Sequence, residues 1–89
     1  MNFFSARFAR NVWLTRHARS ALEKRGLDEE MVLAVIETGE IIEKGDGHCW
    51  IHRAFQGRAD NQICAAVVID TAVVVKTVVV NWQAKENTP

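Results

Sequence analysis

The stretch Thr15–Gly39, TRHARSALEKRGLDEEMVLAVIETG, decides the fold, because it carries two successive sets of helix start and stop signals. Thr15 is an N-cap residue ahead of a helix expected over 16–25, and Gly26 supplies a left-handed stop. At about 100° per residue Leu14, Ala18, Ala21 and Leu22 gather on one face, with Arg16, Arg19 and Glu23 opposite. Asp28 then caps a second helix over 29–38, with Glu29 and Glu30 in the first turn, where the helix dipole favours negative charge. Leu27 and Val32 have the spacing of a hydrophobic staple across that cap. Val32, Val35 and Ile36 point to the core, and Gly39 closes the element.

Beyond Gly39 the apolar period changes from 3.6 to 2, which predicts strands at about 40–44, 48–55, 62–69 and 72–82. Gly45-Asp46-Gly47, QGRADN and Asp70-Thr71 are the turns between them. Short turns make neighbours antiparallel. The expected architecture is α+β: a two-helix hairpin followed by a four-stranded antiparallel β-meander, with the helices packed on one face of the sheet. Residues 1–89 read as a single domain, with an N-terminal arm or lead-in over 1–14 and a polar tail over 83–89.

Eleven Lys and Arg balance eleven Asp and Glu, so no global field attracts a polyanion or a membrane. The charges are nonetheless segregated. Arg7, Arg10, Arg16, Arg19, Lys24 and Arg25 stand against Glu23 in residues 1–26, whereas residues 27–47 are strongly acidic. Cys49 and Cys64 lack the spacing of a metal site and read as reduced thiols of a cytoplasmic protein. The opening MNFFSARFARNVW has no apolar run long enough for a signal peptide, and no segment approaches the roughly 20 apolar residues of a membrane span. No cofactor-binding motif is present, so none is expected.

The segment GDGHCWIHR, Gly45–Arg53, sets a cysteine between two histidines. On a strand His48, Trp50 and His52 share one face, and at about 3.3 Å per residue the histidines stand roughly 13 Å apart. Zinc ligands converge within about 2.0–2.3 Å of one ion, so the pair does not chelate by itself. Cys49 lacks a neighbouring base on its own face and reads as a structural thiol. If the turns close symmetrically, His52 lies opposite Ala65, and Ala65 opposite Lys76, in one cross-strand row. The same register aligns Arg53, Cys64 and Thr77 on the other face. Lys76 also reads as an edge-strand gatekeeper within an otherwise apolar run.

The run LTRHARSALEKRGLDEEMVLAVIETGEIIE resembles the opening of the bacterial domain-of-unknown-function family forty-two fifty-eight, through Thr15, His17, Ala18, Arg25, Gly26 and Gly39. That family is similar in layout to the RelE, BrnT and barnase-like group of small metal-independent toxin ribonucleases. The resemblance implies RNA as substrate, an antitoxin as partner, and His17 and Arg25 as site residues. The chain departs from the toxin pattern in its zero net charge and its lack of tyrosine; its last strand offers Lys76, Asn81 and Trp82 instead.

Two functions of different class follow. In a ribonuclease, His17 and His52 would act as base and acid, with Lys76 and Arg25 on the phosphate. Arg16, Arg19 and Arg53 would hold the rest of the RNA. In a non-catalytic interaction domain His17 and Arg25 are structural, and the arm carrying Phe3, Phe4, Phe8 and Trp13 meets a protein partner or a second copy in a homodimer.

Overall fold

Both helices form between the caps that the sequence supplies. In the computed structural model, which describes residues 3–57 and 62–81, α1 spans Arg16–Arg25 and α2 spans Glu29–Thr38. Thr15 Oγ1 accepts the Ala18 N–H at 3.0 Å, and Asp28 Oδ1 accepts that of Met31 at 2.8 Å. Gly26 is left-handed at φ 65°, and the next N–H, from Leu27, reaches the Leu22 carbonyl at 3.0 Å. Gly39 differs from expectation. Its φ of −76° suits any residue. Glycine is needed there for room, because a Cβ would stand 2.6 Å from the carbonyl oxygens of both Val35 and His52.

Among the described residues the sheet has six strands rather than four, and it is mixed rather than antiparallel. β1 (Phe3–Ser5) and β2 (Arg10–Leu14) precede the helices; β3 (Glu40–Gly45), β4 (His48–Ala54), β5 (Gln62–Ile69) and β6 (Val73–Val79) follow them. Their order is β1-β2-β6-β5-β4-β3. The expected meander is intact as β3 to β6. β2 adds to it in parallel, pairing Val12, Trp13 and Leu14 with Val73, Val74 and Val75. This places the valine-rich β6 between two neighbours, so Lys76 is not an edge gatekeeper.

The residues expected to form an arm are instead fastened to α2. Glu37 accepts hydrogen bonds from the Ser5 hydroxyl, from the Ala6 N–H at 2.8 Å and from the Arg7 N–H at 3.2 Å. The Arg7 guanidinium donates to the carbonyls of Ile36 at 3.0 Å and Gly39 at 2.7 Å, satisfying the end of the helix. Phe3 and Phe8 pack against the core, whereas Phe4 and Trp13 are exposed.

The helices cover one face of the sheet only. Ala18, Leu22, Leu27, Val32, Val35 and Ile36 pack on Val12, Ile51, Ile63, Ala65, Val67, Val73, Val75 and Val78, all buried. Among the described residues no helix is long and apolar enough to cross a membrane.

Candidate functional site

The uncovered face of the sheet is built by the residues that alternate with the core set, and the strand register arranges them in three cross-strand rows. The first runs Glu40, His52, Cys64, Val79; the second Ile42, Trp50, Ala66, Thr77; the third His48, Val68, Val74, Trp13. Between the second and third rows β6 carries a β-bulge: Ala66 pairs with Thr77 and Val67 with Val75, leaving Lys76 as the extra residue.

The two turns and that bulge together overturn the register read from symmetric turns. Ala54, not Phe55, pairs with Gln62, and Ile69 pairs with Val73 across a three-residue turn closed by Asp70 N–H to the Ala72 carbonyl at 2.9 Å. His52 therefore faces Cys64 and Val79, while Ala65 lies in the core with Ile51 and Val78. The row His52–Ala65–Lys76 does not form. Arg53 faces Ile63, so Arg53–Cys64–Thr77 does not form either. Part of the QGRADN turn, and Trp82, lie outside the described residues.

Lys76 instead lines a groove of about 510 Å³ on the open face with Lys44, Asp46, His48, Trp50 and Thr77, floored by Ala66. Each arrives for a local reason. The Gly45-Asp46-Gly47 turn folds Lys44 back beside His48, with Gly47 at φ 81° and its missing Cβ leaving space for the Ile69 carbonyl. Ile42 pairs with Trp50, Lys44 is the extra residue at an irregularity of β3 between Glu43 and Gly45, and its ammonium sits 4.3 Å from the Trp50 ring centroid. The bulge supplies Lys76. Two ammonium groups against one carboxylate, beside an imidazole and an indole, make a cationic seat with an aromatic wall. Among the described residues no three His, Cys, Asp or Glu side chains gather in a way that could hold a metal ion.

The other site residues expected from the sequence lie elsewhere. His17 is exposed in the first turn of α1 and does not line the groove. The start of α1 meets β6, at the side of the groove, through Thr15, which donates its N–H to the Val75 carbonyl and its hydroxyl to the Lys76 carbonyl, both at 3.1 Å. Arg25 is at the far end of α1, eight residues and about 12 Å from His17. His52 lies 3.9 Å from the Glu40 carboxylate, its partner across β3–β4. Arg53 donates to Thr38 Oγ1 at 3.0 Å and stacks on Phe55. Arg19 is ion-paired with Glu29 at 2.6 Å, and Arg16 is exposed on the helix. His17, His52, Arg25 and Lys76 are thus not one cluster.

Lys44 and His48 are the residues that sequence reasoning passed over. The signal was present, since His48 falls on the same face as Trp50 and a tight Gly-Asp-Gly turn returns Lys44 to it.

Both cysteines are buried and free. Burial pushes the Cys64 thiol up to about 12, and burial, with Glu43 nearby, raises that of Cys49. Neither is primed as a nucleophile.

Fold and groove together define a small α+β domain with both helices on one side of a mixed sheet and, on the other, a face that no described helix covers and that is cationic at one end. The chain belongs to the family described as Domain of unknown function (DUF4258), whose pattern matches residues 14–80 and so begins at the last residue of β2. Comparison with curated proteins and with solved structures gives no match.

Proposed function

We propose that this domain binds single-stranded RNA on its open sheet face and acts as a metal-independent ribonuclease. The observation that carries this reading is the groove, which gathers Lys44, His48, Trp50 and Lys76 although they come from three strands and the bulge of one. The resemblance in layout to RelE, BrnT and barnase-like ribonucleases supports it.

The chemistry such a set serves is transfer of the phosphodiester to the adjacent 2′-hydroxyl. His48 takes the 2′-hydroxyl proton as its oxygen attacks phosphorus. Lys44 stabilises the charge that develops on the phosphoryl oxygens, and the Lys76 ammonium does the same and protonates the departing 5′-oxygen. The products are a 2′,3′-cyclic phosphate and a 5′-hydroxyl. His17, His52 and Arg25 do not line the groove and take no part in this step.

A fluorescently labelled single-stranded RNA, titrated with protein and followed by anisotropy and by gel in the presence of EDTA, tests both parts. Lys76→Ala and Lys44→Ala should each weaken binding severalfold, and His48→Ala should abolish cleavage while the fold is kept. Equal binding by wild type and both lysine variants would remove the groove from consideration. Loss of cleavage on His17→Ala with His48→Ala unaffected would place the chemistry at the start of α1.

One observation favours a second reading, a protein-interaction domain that uses the far end of the same face. Phe4 is 60% and Trp13 49% exposed, an unusual exposure for large apolar side chains in so small a domain. Concentration-dependent sedimentation that the double variant Phe4→Ser, Trp13→Ser eliminates would support self-association through them.

A further inference from the structure

Beside the cationic groove lies a second depression with a different chemistry. It measures about 230 Å³ and is lined by Trp50, Cys64, Ala66, Thr77 and Val79. It exists because two small residues, Cys64 and Ala66, sit at successive open-face positions of the central strand β5, while bulkier side chains flank them on β4 and β6. Its walls are apolar except for the Thr77 hydroxyl and the neutral Cys64 thiol. Trp50, Ala66 and Thr77 line both cavities, so slot and groove adjoin one another. The Lys44 ammonium covers the indole on the groove side.

We propose that the slot is a base subsite: a flat, mostly apolar nucleobase enters it against Trp50, while the phosphate attached to the same nucleotide lies in the groove under Lys44 and Lys76. The inference rests on the RNA-binding reading and adds to it where the base goes. Charge complementarity selects the occupant. A ligand spanning both cavities needs an anionic end joined to a flat apolar body, and a nucleotide unit within an RNA strand has that form. A single hydroxyl among apolar walls gives one hydrogen bond to a base edge, so discrimination among bases should be weak and stacking should dominate.

The test compares two probes of equal length and charge: a single-stranded oligouridylate and an abasic ribose-phosphate oligomer, each titrated into the full chain at one salt concentration. Wild type should bind the oligouridylate at least about fivefold more tightly than the abasic strand. Ala66→Leu, which fills the slot, should bring the two affinities together by weakening only the first. Thr77→Val removes that one hydroxyl and should weaken the oligouridylate only slightly, leaving most of its preference over the abasic strand in place. Lys76→Ala should weaken both probes alike. Equal affinity of wild type for both probes would overturn the base subsite and leave the RNA reading standing. Failure of wild type to bind either probe would overturn the RNA reading itself, and the subsite with it. The first comparison uses the unmodified protein, so the outcome does not depend on whether Ala66→Leu folds.

Discussion

Thr15 does two things that a cap alone does not. Its hydroxyl oxygen accepts the Ala18 N–H at the start of α1, and the same hydroxyl donates to the Lys76 carbonyl in the bulge of β6. Thr15→Ala should lower Tm by about 5–10 °C, whereas Thr15→Ser should retain most of the stability; thermal melts followed by circular dichroism check this. Cys64 makes a pH-dependent contribution of a different kind. Its thiol ionises near 9.0 in the unfolded chain and near 12 when buried, so the folded state holds the proton through that interval. The stability contributed by the neutral thiol is complete below about pH 9 and is lost as pH rises toward 12. Wild type should therefore show an extra alkaline loss, on the order of 1 kcal/mol per pH unit, that Cys64→Ala lacks; denaturant midpoints at pH 8 and 10.5 measure it.

The individual elements were legible in the sequence to the extent that their signals are local. Thr15, Gly26 and Asp28 mark both helices because a cap needs only its own turn, and the 62–69 run reads as a strand by its composition. β1 and β2 were not legible. Phe3–Ser5 is too short to show a period, and Val12–Leu14 is held by parallel pairing to residues some sixty positions away. The register departs for a related reason: the β4–β5 and β5–β6 turns each set the pairing one residue away from symmetric closure, and the bulge at Lys76, which has no composition signal, displaces the pairs beyond it by one more. The hairpin β1–β2 depends on Glu37, so Glu37→Ala should cost about 1–2 kcal/mol and release its amides first. Native-state hydrogen exchange should show Phe4 and Val12 exchanging faster while β4 and β5 stay protected. Gly39→Ala should be worse, about 1–3 kcal/mol, because no rotation relieves the contact of its Cβ with two carbonyl oxygens.

At the scale of the whole molecule the net charge is zero, and several of the arginines have structural duties. Arg7 closes α2, Arg10 donates to the Phe8 carbonyl, Arg19 pairs with Glu29, and Arg53 ties β4 to Thr38. Among the described residues, Lys44 and Lys76 are the cationic side chains that line the groove on the open face. Binding through two phosphate contacts gives a shallow salt dependence, with log K falling against log salt at a slope of about −1.4. A slope several times steeper, measured by anisotropy across a salt series, would require arginines outside the groove.

The bulge gives the chain one amino acid that its sheet does not require. Val74 and Thr77 already face outward and Val75 and Val78 inward, so excising Lys76 would leave β6 alternating without interruption and each remaining pair with its present partner. A shortened chain of this kind should fold, giving up a hydrogen bond from Thr15 and all cationic character on that strand. Length variation among related sequences would then be informative at this one position: relatives that dispense with the extra residue would keep the scaffold and abandon the ligand, separating descent from use.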